Sequence, residues 1–223
     1  MKTVYIVGAG AIGKTLAVCL MNDGRKVVLL RGSVNNGETQ KEIIHVTLSS
    51  QEIIEAEVTI DTLVNYRSLE GLVVLCNKSY GNAAIADALI KKIGHSPIVL
   101  LQNGLGVEQA FINFPAVYRC VLFVTSQPVT ATDLIFKQVA VSPVGRINGG
   151  DETSTDEIAA LLNTPYFGFK AERDIQTVIW KKAIINSVFN SVCPLLDTDN
   201  GIFHRNPQVL QIAESVVAEC LCV

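Results

Sequence analysis

Gly8, Gly10 and Gly13 stand in the spacing G-x-G-x-x-G near the start of the chain. That spacing suits a backbone that turns tightly and then meets a charged ligand. Gly8 allows the turn, Gly10 lets the main chain approach a pyrophosphate, and Gly13 lets a helix pack on the preceding strand. The run Gly8-Ala9-Gly10-Ala11-Ile12-Gly13 also offers free N–H groups at the positive end of a helix, where phosphates are held. About 20 residues further on, an NAD site carries an acid for the ribose 2′-hydroxyl. Here Val28-Leu29-Leu30 meets Arg31 instead. A guanidinium stays charged and bonds phosphate bidentately, so the expected cofactor is NADP(H) rather than NAD(H). The plainer alternatives are a glycine turn that only packs and an arginine that is only solvated.

Two further polar residues follow apolar runs. Lys78 comes just after residues 72–76 and Asn103 just after residues 97–101. In open α/β sheets, ligands bind beyond the carboxyl ends of the strands. A lysine there can donate to phosphate or ribose oxygens, and an asparagine amide can donate and accept at once. A third group lies late in the chain. Lys182, Asn186 and Asn190 are spaced i, i+4, i+8 in an otherwise apolar stretch, so they fall on one stripe of a helix. Polar groups aligned on such a surface need partners or a cleft. A lysine in a partly dry cleft has a lowered pKa and can act as a general acid. The alternative is a solvated stripe; Lys181 is one position off it.

The elements that must hold these residues can be read from pattern. Residues 3–7 and 26–30 read as strands flanking a helix over 11–22, closed by Asp23-Gly24. After a polar loop at 32–40, residues 42–49 and 57–60 alternate as short strands. Residues 72–76 and 97–101 are continuous apolar runs of the buried parallel type. Helices are expected over 81–93, where Gly94 provides the stop, and over 107–111. Residues 117–126 and 134–142 read as two antiparallel strands. Ser154 and Glu157 form a capping-box pattern ahead of a helix over 157–163. Alternating strands and helices argue for an α/β layer with a mostly parallel sheet. Beyond about residue 171 only helices are expected, over 173–192 and 207–222, which sets a domain boundary near Ala171.

The bulk numbers narrow the function class. The chain has 223 residues, 49% of them hydrophobic and 17% charged, with a net charge of −3. That size supports a substantial core, and the charge offers no footprint for nucleic acid. No apolar run approaches the roughly 18 residues of a membrane span. Six cysteines and three histidines show no C-x-x-C or metal-ligand spacing. Reduced thiols in a cytoplasmic protein without a metal site are the expectation.

Taken together, GAGAIG, Arg31, Lys78, Gln102-Asn103-Gly104-Leu105-Gly106 and Trp180-Lys181-Lys182 with Asn186 and Asn190 resemble the ketopantoate reductase (2-dehydropantoate 2-reductase) family. The resemblance implies a Rossmann domain over 1–171, binding NADP(H), and the first helices of an all-α substrate and dimerisation domain over 172–223. It implies NADPH-dependent reduction of ketopantoate to pantoate, on the route to pantothenate and coenzyme A. Lys182 would be the general acid, and Asn103 would lie between nicotinamide and substrate. Lys78 would hold the cofactor or orient Asn103. Asn186, Asn190 and Asn200 would bind a small 2-keto acid, and the helical domain would mediate a homodimer. Family members continue through further helices that supply a serine and a glutamate to the site; this chain stops at Val223, so its helical domain is expected to be truncated. Two other readings stay open: an NADP(H)-binding protein without turnover, and a reductase of another branched 2-keto acid.

Overall fold

The computed structural model describes residues 2–148 and 152–222, with backbone alone at 152 and 153. It divides into two units, Met1–Ile175 and Gln176–Val223. The first is built on β1 (Thr3–Val7), α1 (Ala11–Asn22) and β2 (Val27–Arg31). Next come β3 (Gln40–Thr47), β4 (Ile53–Thr62), β5 (Gly71–Leu75), α2 (Asn82–Leu89) and β6 (Ile98–Leu100). The unit ends with β7 (Val117–Cys120), β8 (Val124–Pro128), β9 (Asp133–Gln138), β10 (Ser142–Arg146), α3 (Glu152–Leu162) and β11 (Phe169–Ala171).

All the strands join one sheet in the order β11-β10-β7-β6-β5-β1-β2-β4-β3-β9-β8. The central run from β7 to β4 is parallel throughout. Its strands are the apolar runs seen in the sequence, and Leu72, Val73, Val74 and Leu75 are fully buried. The α/β fold with a largely parallel sheet is thus as the sequence implies. From β1 the chain builds outward to β2 and β4, then returns to place β5 on β1's other side. The order therefore reverses at β1 and β5, and a crevice opens beyond their carboxyl ends.

The outer strands do something the pattern did not disclose. β7 ends at Cys120 and β8 begins at Val124, yet they are eight positions apart in the sheet. In a flat sheet that separation would be about 38 Å, whereas the connecting residues reach about 14 Å. The sheet must curl until its ends approach each other. It closes around α1: Thr15 is bonded to Ser126 on β8 at 2.8 Å, and every residue from Thr15 to Leu20 is buried. The expected single strand over 117–126 is consequently two. It breaks at residues 121–123, where the Val121 N–H turns to Pro143 and the Phe123 N–H to the Ser142 hydroxyl.

Other boundaries also differ. The helix expected over 81–93 stops at Leu89, because the Lys92 carbonyl and ammonium are engaged by the Leu69 N–H and the Tyr66 carbonyl. Residues 107–111 make only a 3-10 turn, Gln109–Phe111, behind the buried Glu108. Ser154 lies inside α3 rather than capping it, and it meets the Tyr118 hydroxyl at 3.0 Å.

The second unit contains α4 (Ile175–Leu195, shared with the end of the first), the short α5 (Ile202–Arg205) and α6 (Pro207–Cys220). Asn206 caps α6 by accepting from the N–H groups of Gln208 and Val209, with Pro207 at the first helical position. Its own small core joins Val188, Cys193, Phe203, Val209 and Ala213, and Phe189 stacks on Phe203 at 5.1 Å.

Candidate functional site

The glycine turn sits in the crevice beyond β1 and β5. Gly8 has φ +120°, and a Cβ there would lie 2.5 Å from the Asn77 nitrogen. A Cβ on Gly13 would lie 2.0 Å from the Gly8 carbonyl oxygen. Both glycines are thus required by the protein's own packing. Gly10 is different. A Cβ there would meet nothing within 4 Å, and its backbone is extended with φ −84°. Nothing among the described residues demands a glycine at that position. As the N-cap of α1 it supplies no side-chain cap, so the first-turn N–H groups face outward at the positive helix end.

Gly8 and Gly10 line an open groove of about 490 Å³ that also takes in Ala9, Lys14, Arg31, Glu42, Asn77 and Lys78. The structure thereby brings Gly8, Ala9, Gly10, Arg31 and Lys78 together. Ala11, Ile12 and Gly13 form the first turn of α1. Asn103 lies apart from that lining, exposed on the loop after the neighbouring strand β6. Asn77 Oδ1 is a buried acceptor with no partner among the described residues, beside a cradle with room at Gly10. Unpaired donors at a helix end and three nearby cations fit a dinucleotide phosphate chain, and the orphaned acceptor fits a donor such as a ribose hydroxyl.

Arg31 is held in place by the loop it starts. Its Nη1 donates to the Glu38 carbonyl at 2.8 Å. That loop is fastened to β4 by buried Asp61, which accepts from the Thr39 hydroxyl at 2.9 Å and the Asn65 amide at 2.6 Å. Burial pushes the Asp61 carboxyl up, but hydrogen bonds from Thr62, Asn65, Tyr66 and Thr39 outweigh it and hold the group below its ordinary value. The Cys76 thiol, at the groove wall, is pushed up to about 12 by burial, so it is not a nucleophile at neutral pH.

Sequence reasoning missed two groups. Lys14 follows the last glycine of the motif and bonds Glu42 at 2.9 Å and the Ala131 carbonyl at 2.7 Å. Its place directly after the motif was a usable signal. The second group is an interlocked set of amides. Asn82 and Gln102 exchange hydrogen bonds at 2.9 and 2.7 Å, and Gln102 also donates to the Asn77 carbonyl at 2.9 Å. They tie the loop after β5 to the loop after β6. In the second unit, Lys182 and Asn186 are half-buried on α4, while Asn190 and Asn200 are exposed. The Asn200 side-chain oxygen Oδ1 accepts from the Cys193 thiol at 3.3 Å.

The family description "Ketopantoate reductase PanE/ApbA" fits residues 4–149, and its C-terminal counterpart fits residues 174–223. The chain belongs to the ketopantoate reductase family. The name denotes an oxidoreductase that turns a ketone into a CH–OH group. A 2-dehydropantoate 2-reductase of Pyrococcus abyssi is 27% identical, covering 97% of this chain and 71% of its own length. Among solved structures, dimeric ketopantoate reductase from Staphylococcus aureus matches with a TM-score of 0.75 at 20% identity, over 96% of this chain and 76% of that one. D-mandelate dehydrogenase with NADH matches with a TM-score of 0.76 at 18% identity, over 98% and 71%. At such identities the two structures establish the fold alone. No helix among the described residues is long and apolar enough to cross a membrane, and no cluster among them has the make-up of a metal site.

Proposed function

We propose that this protein reduces 2-dehydropantoate to pantoate with NADPH. The observation that carries the cofactor half is the open space at Gly10, in a groove where Arg31 and Lys78 supply charge. Gly8, Gly10 and the first turn of α1 would hold the pyrophosphate, Arg31 the 2′-phosphate, and Lys78 the ribose or phosphate oxygens. The bound nicotinamide supplies a hydride. Lys182 delivers a proton to the developing alkoxide oxygen, and Asn103 orients the reacting carbonyl by donating its amide N–H. Asn186, Asn190 and Asn200 would bind the substrate's carboxylate and hydroxyl groups. The Rossmann domain is read as residues 1–171 and the helical domain as 172–223, acting as a cytoplasmic homodimer through its helices.

The test is loss of NADPH absorbance with 2-dehydropantoate and a panel of other branched 2-keto acids. Turnover is expected to be greatest with 2-dehydropantoate. Lys182→Ala is expected to lower kcat by about a hundredfold or more, with NADPH affinity retained. Normal turnover in Lys182→Ala overturns the proton-donor role. NADPH binding without turnover on any member of the panel would replace this reading with that of a binding protein. Stronger turnover of another acid would replace the substrate. Equal affinity for NADPH and NADH would end the argument from Arg31.

A further inference from the structure

We infer that the buried Arg119–Glu108 ion pair is a positioning device for Asn103. Arg119 stands on β7 and is 2% exposed, and Glu108 is 9% exposed. One arm of the guanidinium donates to the Glu108 carboxylate. The other donates to two backbone carbonyls, Gly104 at 2.9 Å and Gln102 at 3.3 Å. Those are the carbonyls of the residues on either side of Asn103. The same loop turns through Gly104 at φ +106° and Gly106 at φ +68°, so its own backbone has wide freedom. The Gln102 side chain is in turn locked to Asn82 and to the Asn77 carbonyl.

A buried ion pair is a poor way to gain stability, because its desolvation offsets its attraction and an apolar pair of similar volume does as well. What an apolar pair cannot do is bond two carbonyls at once. A planar guanidinium with five donors can, while its charge is balanced by one carboxylate. The pair thus fixes the Gln102–Asn103 and Gly104–Leu105 peptide groups, one before and one just after Asn103, and so sets the direction in which that side chain leaves a glycine-rich loop. This rests on the reading that Asn103 meets the nicotinamide end of the cofactor.

The test uses the full chain labelled with nitrogen-15 and titrated with NADP. The Asn103 side-chain amide is assigned by its absence in Asn103→Ala. In the parent, that resonance and the Gly10 backbone amide are both expected to shift on titration. In the double variant Arg119→Met with Glu108→Leu, the Gly10 shift is expected to persist with affinity within about threefold, or about 0.7 kcal/mol. The Asn103 amide is expected to narrow towards a mobile signal and to lose its shift. Arg119→Lys keeps a charge opposite Glu108 but not the double carbonyl contact, and it carries the same expectation should the double variant fold poorly. An Asn103 shift unchanged from the parent in a folded variant overturns the inference and leaves the proposed function standing. A parent in which Gly10 shifts and Asn103 does not overturns the role of Asn103, and the inference with it.

Discussion

Gly10 and Gly13 lie three positions apart and answer to different partners. Gly13 is crowded by the Gly8 carbonyl, and Gly10 by none of the described residues. Gly13→Ala is expected to destabilise the fold by about 2–3 kcal/mol through overpacking, seen as an earlier midpoint in urea. Gly10→Ala is expected to change stability by no more than about 1 kcal/mol, the scale of a helix cap. It should still weaken NADPH binding about tenfold, or about 1.4 kcal/mol. Unchanged affinity in Gly10→Ala would mean that no phosphate approaches that backbone. At this scale the sequence was most legible where a residue's identity follows from its neighbours in the chain, as in the glycine motif. It was blind to Arg119 with Glu108 and to Lys14 with Glu42, because those partners meet only once separate strands and helices have packed.

Between the residue and the fold stands the loop that carries Arg31. Its anchor is Asp61, whose carboxyl accepts four hydrogen bonds and is held below its ordinary value of 3.8. A depressed carboxylate contributes stability that is fully present above about pH 4 and is lost as the pH falls through the folded-state value. Asp61→Asn is expected to cost about 1–3 kcal/mol at neutral pH, and the gap to the parent should close in acid. Denaturant midpoints measured from pH 7 down to about pH 3 check this; a constant gap would show that the charge of Asp61 plays no part. Strands β1, β2, β5 and β6 and helix α1 were readable because burial on both faces or one clean period marks them. Residues 107–111 were not, because a 3-10 turn and a short helix share the same apolar spacing. Nor was the short strand β11, whose three residues leave no room for a period to emerge.

The whole molecule divides into a unit that holds the glycine motif, Arg31, Lys78 and Asn103 and a unit that holds the Lys182 stripe. Each has a core of its own. A fragment of residues 1–175 is therefore expected to fold and bind NADPH with the affinity of the full chain while turning over nothing, which calorimetry and an activity assay can check; failure of the folded fragment to bind would move part of the cofactor site into the second unit. The domain order was legible from the change in composition after the last alternating strands. The curl of the sheet was not, since it depends on which strands end up at the edges. That curl has a consequence for biosynthesis. Helix α1 leaves the ribosome early, but strands β8 and β9, which cover its second side, are made more than a hundred residues later. Until they arrive, part of the surface around Thr15–Leu20, buried in the finished fold, stays wet and open to mispairing. A nascent chain halted before residue 124 should accordingly be held by chaperones that bind apolar segments, and one released after residue 175 should not.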